Sequence, residues 1–152
     1  MSIEKNSSEH NDDGLTAKVA SLTILQGIVS RMASNSLAMK TWAITIVTGF
    51  IAIKSTLGGM GCFANLVPFL ICCAFSFLDA YYLSQERVFR HVYNELAKSP
   101  VGGGVNYLDF GQEIKLANQQ SKNKIRACYT SLSVICFYAP LVVISTIILI
   151  KG

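Results

Sequence analysis

A carboxylate set inside an apolar segment can gate or relay ions, and Asp79 is the acid deepest in such a block. A charge at membrane depth costs about 2.5–3.5 kcal/mol on insertion scales, so Asp79 is expected to have a partner or a wet cavity. Tyr81, Tyr82 and Arg87 follow it closely and place it near a headgroup layer. Pairing with Arg87 or Lys40 is therefore favoured over an ion path. Thr41, Thr45 and Thr48 form a second pattern: offsets of four and three put them on one helix face, where they could line a pore. Threonines also satisfy themselves by bonding back to the preceding turn, which is the competing reading. Asn35, within the small and polar run Arg31-Met32-Ala33-Ser34-Asn35-Ser36, suits a helix–helix contact better than a substrate site, and Ala127 with Ser131 makes a similar small face.

No catalytic, cofactor-binding or metal site is expected. His10 lies in a polar tail and His91 among Arg87, Arg90 and Glu95, neither with a nucleophile or paired acid at catalytic spacing. Gly102-Gly103-Gly104 matches a phosphate loop in composition only, since no strand precedes it and no Gly-Lys-Ser/Thr follows. Cys62, Cys72, Cys73, Cys128 and Cys136 sit almost wholly in apolar segments, where free cysteine packs as a small hydrophobe.

The elements that must position these residues follow from composition. Charged residues make up 14% of the 152-residue chain, against roughly 25% in ordinary soluble proteins, and the apolar 51% is gathered in blocks. The net charge of +4 sits at the margins of those blocks, which suits lipid headgroups rather than nucleic acid. Residues 1–14 read as a disordered tail too polar to be a signal peptide, so insertion is expected to use an internal span. Residues 15–36 form an amphipathic helix with Val19, Leu22, Leu25, Ile28, Val29, Met32 and Ala33 at helical spacing.

Three spans follow in an all-α membrane fold. Residues 37–53 reach about 25 Å, with Lys40 snorkelling and Trp42 as an interfacial anchor. Residues 54–62 form a glycine-rich external loop, and 63–83 the second span, continuing into a cytoplasmic helix at 84–98. A cytoplasmic connection at 99–126, with a short helix near 111–123, leads to the third span at 127–150, where Pro140 predicts a kink. Eleven of the thirteen basic residues then face the cytoplasm, Arg87 and Arg126 among them, leaving Lys54 and Lys151 outside. That bias puts the N-terminus inside and the C-terminus outside a bacterial inner membrane.

At Arg31–Ser36 and at Leu78-Asp79-Ala80-Tyr81-Tyr82-Leu83-Ser84-Gln85-Glu86-Arg87-Val88-Phe89-Arg90, the chain resembles a group of small uncharacterised bacterial multi-pass membrane proteins, over roughly residues 20–98. Its plan, a membrane hairpin running into a cytoplasmic helix, is also similar to that of SLATT-type effectors of bacterial defence. That resemblance implies an oligomeric, pore-forming or membrane-perturbing protein with no catalytic residues. The third span departs from the two-span SLATT plan, so the pore-forming role does not transfer on resemblance alone. The expected partners are the lipid bilayer, further copies of the chain and a cytoplasmic protein that brings the signal. An accessory subunit docking its partner through the amphipathic helices is the alternative.

Overall fold

The computed structural model describes residues 2–57, 66–101, 110–120 and 123–151, without the side chains of residues 2–11, 57, 149 and 151. Every regular element among them is helical. The first, α1, runs unbroken from Ser2 to Leu57. It carries the amphipathic stretch and first span expected at 15–36 and 37–53 on one helix, and it is helical from Ser2 where a disordered tail was expected at 1–14. The sequence offers no reason to stop, since no proline lies between Ser2 and Leu57. Buried positions also continue across the expected boundary, as Lys18, Ser21, Leu25, Ser36, Ala43 and Val47, with half-buried Met32 between them.

The second helix, α2, spans Leu66–Lys98 and joins the apolar segment to the amphipathic one without a break, as the sequence predicts. It is the central element and packs against all the others. From Pro68 to Leu96 it is buried at every fourth position, through Cys72, Ser76, Ala80, Ser84, Val88 and Val92. Four residues turn a helix by about 400°, so this line drifts about 40° per step around α2 and needs partners on more than one side. Helix α1 packs along one side, while α3 (Gly111–Gln119), α4 (Ile125–Tyr129) and α5 (Leu132–Lys151) take others.

The short α3 lies where a helix is expected within 99–126; the glycine run 102–104 and most of the 54–62 loop fall outside the described residues. The expected third span is broken. Its first turns form α4, and the chain turns at Thr130-Ser131 before α5 begins. The Thr130 hydroxyl bonds back to the carbonyls of Arg126 and Ala127 at 3.3 Å, closing α4, and Ser131 supplies a residue type favoured at helix starts. The remaining twenty residues of α5 still cover about 30 Å, the thickness of a hydrocarbon core, with Pro140 inside the helix.

Two apolar clusters divide the molecule. One joins Leu25 of α1, Val88, Val92 and Leu96 of α2 and Ala117 of α3, edged by Leu22, Phe89, Tyr93 and Ile114. The other joins Ala43 of α1 to Val134 and Tyr138 of α5, with Phe75 and Leu83 of α2 against them.

Candidate functional site

Beside the second cluster α1 meets α2 at a charged contact. Asp79 is fully buried. The Ser36 hydroxyl donates to its Oδ1, and the Lys40 ammonium lies 2.7 Å from its Oδ2, which has no further hydrogen bond. Lys40 also donates to Ser36 Oγ at 3.2 Å, so its stem runs back one helical turn along α1. That is the snorkelling direction, toward the polar end of the apolar segment. The same ammonium sits 6.0 Å from the Phe137 ring centroid on α5, bringing a third helix to the joint.

This arrangement neutralises a buried carboxylate and fixes the register of α1 on α2. It does not offer a carboxylate to a passing ion, because Asp79 has no exposed surface. Of the two partners weighed for Asp79, the structure selects Lys40. Arg87 turns instead to the α4–α5 turn, donating to Ser131 Oγ at 3.1 Å.

A line of small polar contacts extends from the joint along α2. Ser76 Oγ lies 3.2 Å from the Tyr129 hydroxyl, and Cys72 Sγ lies 3.7 Å from Ser145 Oγ. The Tyr138 hydroxyl donates to the Phe75 carbonyl at 3.3 Å, and Ser84 donates to the Asn123 carbonyl. Each contact satisfies polar atoms between helices that otherwise meet through small residues. Such contacts hold helices together where water is scarce.

No family model, no curated protein and no solved structure matches this chain. The functional reading therefore rests on the chain's own geometry.

The remaining residues singled out in the sequence are spread over the surface. Thr41, Thr45 and Thr48 share an exposed face of α1, and their hydroxyls donate to the carbonyls of Leu37, Thr41 and Ile44 at 3.1, 2.9 and 2.7 Å. Asn35 is half-buried beside Ser36. Trp42 and Tyr81 are exposed, Tyr81 meets the edge of half-buried Tyr82, and Arg126 is exposed on α4. Among the described residues, no group of three His, Cys, Asp or Glu side chains is placed to hold a metal ion.

Three features were not identified as site components from the sequence. Ser36 completes the ion-pair joint, although its small-residue neighbourhood marked a helix contact. The Cys72-Ser76-Ala80-Ser84 line was legible as a four-residue repeat of small residues. Lys18 donates to the carbonyls of Ala97 and Ser99 at 3.0 and 2.6 Å, capping the end of α2 from α1. Nothing local to Lys18 signals that contact.

Proposed function

We propose that this is a non-enzymatic, three-span membrane protein with its N-terminus in the cytoplasm, and that it acts as an oligomeric effector perturbing or permeabilising the membrane. Two helical stretches, Asp12–Thr56 and Leu66–Lys98, are long and apolar enough to cross a bilayer, and Leu132–Ile148 is a shorter apolar helix. In their most apolar windows only 17% and 28% is buried, which is unlike the core helices of a water-soluble bundle. Large residues instead point outward, with Trp42, Leu70, Phe77, Leu132 and Ile150 all more than half exposed. Lipid is the covering that fits them.

The observation that carries the oligomeric reading is the outward face of α1. Thr41, Thr45, Thr48, Gly49 and Ala52 are all exposed, and a Cβ added at Gly49 would meet nothing within 4 Å. The protomer does not use this small, hydroxyl-bearing strip, and small residues are what a second helix needs for close approach in a bilayer. Copies meeting there would bring the threonines together around a shared axis.

The test is induced expression of the tagged chain in bacteria, with growth and a voltage-sensitive dye followed together and crosslinking read from the same cells. Depolarisation and crosslinked oligomers that are both lost in Thr45→Leu and Gly49→Leu support the effector. Normal membrane potential at high membrane abundance refutes it in favour of an accessory subunit. That second reading is favoured by one feature, the exposed Leu15, Val19 and Ile24 on the N-terminal half of α1, which suit a cytoplasmic protein partner.

A further inference from the structure

Where α2 leaves the apolar segment, a cleft of about 280 Å³ opens between it and the α3–α4 connection, lined by Arg87, Arg90, His91, Asn94, Gln120 and Asn123. All six side chains can donate hydrogen bonds and none is a carboxylate. Two guanidinium groups one helical turn apart, beside an imidazole and three amides, match a group with several anionic oxygens. We propose that this cleft binds a phosphate group, carried by a lipid headgroup or by a soluble phosphorylated molecule.

The cleft is built by two parts of the chain. Asn123 donates from Nδ2 to the Ala117 carbonyl at 2.8 Å, and its own carbonyl accepts from Ser84, so the α3–α4 connection is tied down against α2. Gln120 Nε2 lies 3.1 Å from His91 Nε2. With the amide donating there, the other imidazole nitrogen is left as a donor. Arg87, which lines the cleft, is held by its bond to Ser131 Oγ. Arg90 is the exposed member: its side chain is 61% exposed and one nitrogen pairs with Glu86 at 2.6 Å, leaving the rest of the fork to meet an anion.

Position adds to chemistry. The cleft begins two turns of α2 beyond Asp79, where the apolar segment has ended. If the proposed topology holds, it lies just beneath the cytoplasmic headgroups, where basic pockets between helices bind anionic lipids. The lipid source rests on that topology; the phosphate chemistry does not.

The experiment uses the full chain purified in a neutral detergent. Thermal stability is followed while inorganic pyrophosphate is added in one arm and short-chain phosphatidylglycerol in the other, with short-chain phosphatidylcholine as the uncharged control. Arg90→Gln removes a cleft donor, and Lys98→Gln removes one exposed charge and one glutamate pair elsewhere on α2. The proposal expects stabilisation by at least one phosphate carrier, about tenfold weaker apparent binding in Arg90→Gln, and wild-type binding in Lys98→Gln. Response to pyrophosphate assigns a soluble source. Response to phosphatidylglycerol alone assigns a lipid one. No response to either, or equal responses in wild type and Arg90→Gln, overturns the proposal, whatever the voltage assay shows.

Discussion

The two halves of α2 are packed by opposite rules. Around Val88, Val92 and Leu96 it buries large apolar side chains against Leu25 and Ala117, as water-soluble bundles do. Around Cys72, Ser76 and Ala80 it buries small and polar groups, while Leu70, Phe77 and Leu78 face outward. The hydrophobic effect orders side chains only where water is the alternative. In lipid, close packing and interhelical polar contacts take over that role. The rule changes along one uninterrupted helix near Asp79, where the Lys40 ion pair sits, as the proposed membrane boundary would require.

If that division holds, substitutions in the two halves should differ in cost and in kind, measured by unfolding purified protein in mixed micelles. Lys40→Met should have the largest effect, about 3–5 kcal/mol, because it leaves Asp79 buried without its counter-charge. The double variant Lys40→Met, Asp79→Leu should recover most of that loss, and failure to recover would show that the pair is not coupled. Leu25→Ala should cost about 2–5 kcal/mol through the cavity it opens in the cluster around Val88 and Val92. Lys18→Met should cost about 1 kcal/mol, with hydrogen exchange rising first at the C-terminal turn of α2 whose carbonyls it caps. Ser76→Ala should cost only about 0.6 kcal/mol, the typical value for an interhelical hydrogen bond in a bilayer. A Ser76→Ala cost as large as that of Leu25→Ala would erase the contrast between the halves.

Much of this plan is legible in the sequence. The apolar run ending near Leu83 and the periodic Val88, Val92 and Leu96 announce a helix that changes environment without stopping. The charge of Asp79 demands a partner, and Lys40 is one of two cations within reach. What the sequence leaves open depends on contacts distant in the chain. Ser36 and Asp79 are 43 residues apart and Lys18 and Ala97 are 79 apart, so local periodicity reports on neither. The polar opening of the chain read as a tail because it lacks apolar periodicity, yet acids and serines are tolerated at a helix N-terminus when the helix is nucleated further along. The break at Thr130-Ser131 was not read from the sequence, because it depends on Thr130 bonding back to α4 and on the distant tie from Arg87 to Ser131.

Helix α1 is 56 residues long, about 84 Å, and passes through both halves without a joint. A continuous helix of that length could transmit a rotation as a drive shaft does, provided the ties of Lys18 and Leu25 to α2 gave way. A partner that twists its N-terminal end cannot have that twist absorbed in a linker, because there is none between Lys18 and Ser36. A rotation that reached the contact with α2 would swing Ser36 and Lys40 away from Asp79 together, uncovering a carboxylate that is otherwise fully buried.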